Sequence, residues 1–277
     1  IFDGNFVTAS GEDGGALRLY NSYINFSKCI FRNNKADDFG GAVYLNTKGI
    51  AKFYDCLFYK NWTETDDGGA VSSNGGSSPY QFTYFINCTF SQNTAGAGTN
   101  YSTTNSVSGA KGGAFYCNNS YNENYFYNTI AYGNDGYSND REDISRGNGY
   151  FYFYNSCIGS SNAHGTGYGN GNISITAPYN NLAENTDPLF NNVGTDDYSL
   201  VANSPAKNAG NHTTISGMTP TNVDIAGNPR SPPYDIGSYE YQDCAAATPS
   251  ISVTESSGTA SDDGTICSGG SVTLSTS

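Results

Sequence analysis

The chain has 277 residues, with 12 Lys and Arg against 25 Asp and Glu and a formal net charge of −13. Phosphate contacts need clustered Lys and Arg, and the basic residues here are scattered, so nucleic acid and anionic membranes are excluded as partners. Tyr and Phe, with 23 and 15 copies, dominate the hydrophobic share, and no apolar run of about 18 residues exists to form a membrane-spanning helix.

In chain order, the first feature is a repeated pattern. Gly-Gly-Ala recurs at Gly14-Gly15-Ala16, Gly40-Gly41-Ala42, Gly68-Gly69-Ala70 and Gly112-Gly113-Ala114. Cys, Phe and Asn follow at fixed offsets, as in Cys29-Ile-Phe31-x-x-Asn34, Cys56-Leu-Phe58-x-x-Asn61 and Cys88-Thr-Phe90-x-x-Asn93, with degenerate copies at Thr129 to Asn134 and Cys157 to Asn162. A period of roughly 26 to 44 residues, with the length variation confined to polar inserts, is the signature of a solenoid. Strict alternation after each Gly-Gly-Ala, together with Tyr, Phe, Asn, Gly, Thr and Ser, favours strands and turns over helices.

If each unit is one turn of a coil, like residues lie roughly 4.8 Å apart on neighbouring parallel strands. One column is then Phe26, Phe53, Phe85, Phe126 and Tyr154; a second is Cys29, Cys56, Cys88, Thr129 and Cys157; a third begins Phe31, Phe58 and Phe90. The two Phe columns have opposite parity, so a bend is expected at the polar position between them, Lys28, Asp55, Asn87, Asn128 and Ser156. Asn34, Asn61, Asn93, Asn134 and Asn162 mark the next corner, and the paired glycines another. Phe2 and Asn5 fit the same columns, so the chain is expected to start inside a coil with further coils or processing upstream. Seven cysteines is an odd number; Cys29, Cys56, Cys88, Cys117 and Cys157 fall at interior positions, which predicts free thiols.

Polar inserts at Asn74 to Pro79, Ala95 to Gly109 and Gly133 to Gly149 are expected to project as loops. From about residue 180 to Gln242 the pattern becomes irregular and Pro-rich, as a cap over the open end of a solenoid would be. Residues 243–277 form a second region, an Ala-Thr-Pro linker followed by segments alternating at strand period.

The repeat resembles the right-handed parallel β-helix units of bacterial surface proteins, including the polymorphic outer-membrane proteins. Downstream, Asp187-Pro-Leu-Phe190, Asp197-Tyr-Ser-Leu200, Asn203-Ser-Pro-Ala206, Asp224-Ile-Ala-Gly-Asn-Pro-Arg230 and Asp235-Ile-Gly-Ser-Tyr-Glu240 look like the closing region of secreted β-helix proteins of the choice-of-anchor Q type. The end of the chain is similar to the opening strands of an immunoglobulin-like module of Bacteroidetes adhesins. These resemblances imply an all-β chain: a right-handed parallel β-helix over 1–242, capped from about 180, then the first strands of an Ig-like β-sandwich over 243–277. They imply further modules of the same polypeptide on both sides, an extracellular cell-surface location reached by type IX secretion, and work as an adhesin or spacer.

Two site candidates follow from the columns. Tyr54, Tyr59, Tyr84, Tyr125, Tyr127 and Tyr132 occupy outward positions and would suit glycan or protein ligands, or simply stabilise the sheet as a ladder. Glu12, Asp38 and Asp66 stack like charges, which Ca²⁺ could relieve; solvated turn carboxylates are the alternative. A β-helix polysaccharide lyase or hydrolase is the rival reading: fragments of a polygalacturonase-like set exist at Asn185-Thr-Asp187, Asp196-Asp197 and His164-Gly165, but out of order and without Arg-x-Lys. A purely structural stalk is the third.

Overall fold

The computed structural model describes residues 1–46, 48–74, 81–101, 109–136, 143–159, 180–214 and 217–242, and the backbone of 251–255 and 272–276. The chain forms two compact units, Ile1–Tyr241 and Gln242–Ser277. In the second, strands Ile251–Glu255 and Val272–Thr276 pair antiparallel.

The first unit is a parallel β-solenoid. A first row of strands, Leu17–Tyr20, Val43–Asn46, Val71–Ser73, then the starts of Phe115–Tyr127 and Ile144–Tyr154, pairs in register. A second row stacks Tyr23–Ser27, Gly49–Tyr54, Gln81–Ile86 and the ends of the same two long strands. A third, shorter row runs Phe2–Asp3, Ile30–Arg32, Leu57–Tyr59, Thr89–Ser91, Ile130–Ala131 and Cys157–Ile158. Every coil therefore lies one strand spacing from the next, as the repeat predicts.

Between the second and third rows the backbone enters the left-handed region at Lys28, Asp55, Asn87 and Asn128, with φ of 53°, 48°, 51° and 47°. This is the bend that the opposite parity of the Phe columns requires, and it lets both columns face inward. Phe26, Phe53, Phe85, Phe126 and Phe153 stack with ring centroids 4.9 to 5.1 Å apart. Phe2, Phe31, Phe58 and Phe90 stack at 4.5 to 4.7 Å. The two stacks meet edge to face, as at Phe85 and Phe90, which is the favoured mutual geometry of aromatic rings.

In the last coil the column assignments shift by one residue. Phe153, not Tyr154, continues the Phe column, and Asn155 (φ 47°), not Ser156, makes the bend. Ser156 takes the Cys column: its Oγ donates to the carbonyls of Phe126 and Tyr154, as Thr129 Oγ1 donates to those of Phe85 and Tyr127 and Cys88 Sγ to those of Phe53 and Ile86. The column selects a small side chain that donates a hydrogen bond, and Ser satisfies it while Cys157 pairs with Ile130. Asn162 lies outside the described residues. The Gly133 to Gly149 segment is also not wholly a loop, since Ile144 to Gly149 belongs to a paired strand. Cys29, Cys56, Cys88, Cys117 and Cys157 are free.

The Asn corner is the most regular feature. Asn5, Asn34, Asn61 and Asn93 each donate from backbone N and from Nδ2 to Oδ1 of the Asn one coil further on, the Nδ2 bonds spanning 2.7 to 2.9 Å. The second Nδ2 hydrogen of Asn34, Asn61 and Asn93 goes to the carbonyl of Phe2, Phe31 and Phe58 on the preceding coil. Asn134 ends the series by donating to Asp143 Oδ1. Asn34, Asn61 and Asn93 are fully buried.

Paired glycines make the third corner. Gly14, Gly40, Gly68 and Gly112 have φ between 66° and 74°, and a Cβ on Gly41 would lie 2.2 Å from the carbonyl oxygen of Gly69. The first glycine is needed for its dihedral angles and the second for backbone contact between coils.

Asn61→Ala would strand both Asn34 donors and take one donor each from Asn93 Oδ1 and the Phe31 carbonyl, costing about 3 kcal/mol or more by the penalty for orphaned buried groups. Urea unfolding of this variant should show that loss; a change below about 1 kcal/mol would mean the ladder does not hold the coils.

Candidate functional site

Asn180 to Tyr241 folds back along the coils and decides which outward side chains remain accessible. On the third row, Leu57 and Tyr59 are covered by Tyr198, whose ring lies 4.9 Å from that of Tyr59. On the second row, the outward line Tyr54, Ile86, Tyr127 and Tyr154 packs against Met218, with Tyr127 fully buried. Tyr59 and Tyr127, expected on the outside, do point away from the coil axis, but the cap buries them.

The cap is fastened to the bend column. Asp55 is fully buried and accepts from Arg230 Nη2 at 3.1 Å and Nε at 3.3 Å; Arg230 Nη1 donates to Glu240 at 3.0 Å and Nη2 to the Gly237 carbonyl at 2.7 Å. Thr221 donates to the second oxygen of Asp55, Asn87 to the first, and Asn128 to Asn87. Asn128 Oδ1 then accepts from the backbone N of Asn211 in the cap. Asp224 accepts from the backbone of Asn228 and Glu240, and Asp235 from that of Asn208. Asp224, Asp235 and Glu240 of the closing motifs are thus bound into the clasp.

Tyr84, Tyr125 and Tyr152 form a partly exposed line on the second row, with rings stacked at 4.8 and 4.6 Å and Lys52 Nζ 5.1 Å over Tyr84. Tyr54 belongs to the neighbouring line under Met218, not to this one. Because each ring covers the next, the line offers edges and hydroxyls to the outside, and its faces are used in holding coil to coil.

In the carboxylate column, Glu12 and Asp38 are joined through the backbone, the N of Asp38 donating to the Glu12 carbonyl. Its side chains then take different partners: Glu12 pairs with Arg18 at 3.0 Å and Asp38 accepts from Thr65. Asp66 is half-buried, and burial with the nearby Asp38 raises its pKa. Among the described residues no three His, Cys, Asp or Glu side chains gather as a metal site. Beside the column, burial and then the neighbouring Asp66 push Asp67 up to about 7, while the Lys111 backbone N and the Tyr116 hydroxyl hydrogen-bond to it.

Tyr132, the remaining candidate, lines a groove of about 440 Å³ where the cap stops covering the third row. Its coil wall is Ser91, Gln92, Tyr132 and Gly133, and its cap wall Asp187, Leu189, Phe190, Val193, Val201 and Asn203. Gln92 is fixed by accepting from the Tyr198 hydroxyl at 2.8 Å, and Asp187 Oδ1 by accepting from the Leu189 backbone N. Leu189 is held at φ 54°, a conformation uncommon for a non-glycine residue and concentrated at ligand-binding positions. Asp187 and Asn203 are exposed and Tyr132 half-buried, so the groove combines an aromatic ring, a carboxylate and amides with an apolar floor. Asp196 pairs with Lys60 and Asp197 accepts from Asn191 and Ser199, so the carboxylates that mimic a glycosidase set are engaged separately. His164 lies outside the described residues.

A parallel solenoid ordered by internal Asn and Phe ladders, with a clasped cap, defines a β-helix repeat protein. Residues 28–46 match the Chlamydia polymorphic membrane protein repeat; they run from the Lys28 bend through Asn34 and the Gly40-Gly41 corner to Asn46. Searches of curated proteins and of solved structures find no match. The repeat and the solenoid together suggest a surface-exposed β-helix protein. No helix of the described residues is long and apolar enough to cross a membrane.

Since the folded Asp67 pKa lies above its ordinary value of 3.8, the folded state binds the extra proton, and this group's contribution weakens stability as pH rises from about 4 to about 7. Asp67→Asn keeps the acceptor for Lys111 and should flatten that part of the stability profile, raising the thermal midpoint at pH 8. Parallel profiles for the two proteins would show that Asp67 titrates normally.

Proposed function

We propose that this chain is a rigid section of a bacterial cell-surface adhesin and that it binds a neutral carbohydrate in the groove beside Tyr132. The observation that carries the reading is the groove: an aromatic ring, a fixed amide, a carboxylate and an exposed Asn stand on two elements locked to a packed scaffold. Sugars are recognised by this combination of apolar surface and convergent hydrogen-bonding groups. The net charge of −13 favours neutral over anionic ligands. Weak single sites of this kind gain strength when many are displayed together on a surface.

The closing motifs support membership in the choice-of-anchor Q type of secreted β-helix protein, since their Asp, Arg and Glu residues make the clasp that ends the solenoid. An Ig-like module after residue 242, further modules on either side, and export to the cell surface belong to the same proposal.

Glycan-array screening of the 277-residue chain should find neutral ligands, and Asn203→Ala or Asp187→Asn should weaken them about tenfold, a loss of about 1.4 kcal/mol, with far-UV circular dichroism unchanged. No reducing ends should be released from bound glycans. Absence of binding would favour a plain stalk, and release of reducing ends a hydrolase.

A further inference from the structure

One patch of the solenoid interior departs from the phenylalanine packing. On the inner face of the second row, Gln81 pairs with Asn122 and Thr83 with Asn124, two residues further along the same strands. These four side chains therefore form a two-by-two block, roughly 4.8 Å across the strands and 7 Å along them. All are buried: Gln81 is 4% exposed, Asn122 1%, and Thr83 and Asn124 0%. The amide nitrogens are used, Asn122 Nδ2 donating to Ser73 Oγ at 2.7 Å and Asn124 Nδ2 to the Tyr150 carbonyl at 3.2 Å. The oxygens are not: Gln81 Oε1, Thr83 Oγ1, Asn122 Oδ1 and Asn124 Oδ1 have no protein partner, and neither does Asn74 Oδ1.

Buried acceptors are almost always paired, and a group of them on one block calls for a donor from outside the chain. There is room for one. Where the previous coil carries Gly49 and Ala51 opposite Gln81 and Thr83, a small cavity lies against Gln81, the one of the four that lines it, and against Leu19, Ser22, Leu45 and Gly49 of the two preceding coils, with about 10 Å³ open to the centre of a water molecule. That is close to the least space that holds one water.

We infer that Gln81 closes a built internal hydration site, in which one ordered water in this cavity donates to Gln81 Oε1 and ties the third coil to the two before it. Water fits better than a metal cation because the oxygens are neutral amides and a hydroxyl, without a carboxylate among them to balance charge. The inference concerns the scaffold and stands independently of ligand binding in the groove.

A high-resolution crystal structure of the whole chain should show density for water within hydrogen-bond distance of Gln81 Oε1. Urea unfolding of Gln81→Met, which keeps the length of the side chain and removes the amide, should move the midpoint down, because the ordered water loses a partner. An empty cavity together with an unchanged or higher midpoint for Gln81→Met would overturn the inference. So would a thermal midpoint that differs between potassium, sodium and choline chloride at equal ionic strength, since that result would assign the block to a cation.

Discussion

A carboxamide that accepts on one side and donates on the other can be stacked only if its copies sit one strand spacing apart. The buried Asn ladder imposes that condition on every coil. Each Asn serves both its side chain and its backbone N, so slipping one coil by a residue would orphan several groups at once in a place water does not reach. The other columns follow from this register. Phe rings can pile face to face because their coils are held at the right distance, and Gly41 and its counterparts can be in backbone contact for the same reason. Length variation is pushed out to the inserts, where no ladder runs.

Much of this order was legible because like residues lie on like. The Phe, Cys and Asn columns, and the bend between the Phe columns, could be read from offsets alone. Where the reading slipped, in the last coil, it followed letters: Tyr154 and Cys157 resembled the expected residues, but the backbone carbonyls of Phe126 and Tyr154 select a small donor, and Ser156 meets that need. Chemistry at a column is a better guide than residue name. A long strand beginning at Ile144 was hidden for a related reason, since its Arg, Gly and Asn residues look like an insert.

The cap was recognisable as a set of motifs, but its path was not. Outward parity for Tyr59 and Tyr127 is a local property of a strand, whereas their burial depends on Tyr198 and Met218 arriving from far along the chain. For the same reason Tyr132 was found as an outward aromatic without its groove, whose cap wall is Asp187 to Asn203. Asp187 had been assigned to a closing motif, and it belongs to both. Of the carboxylates that invite an enzymatic reading, Asp196 pairs with Lys60 and Asp197 accepts from Asn191 and Ser199. Asp187 and Asn203, beside Tyr132, stay exposed.

The clasp between Asp55 and Arg230 also bears on the order in which the molecule can be finished. During synthesis or export from the N-terminal end, the second coil emerges 175 positions before the guanidinium that neutralises it. Until then the Asp55 carboxylate must keep its water, so the early coils form with one flank still wet and become sealed only when the far end of the chain returns to them.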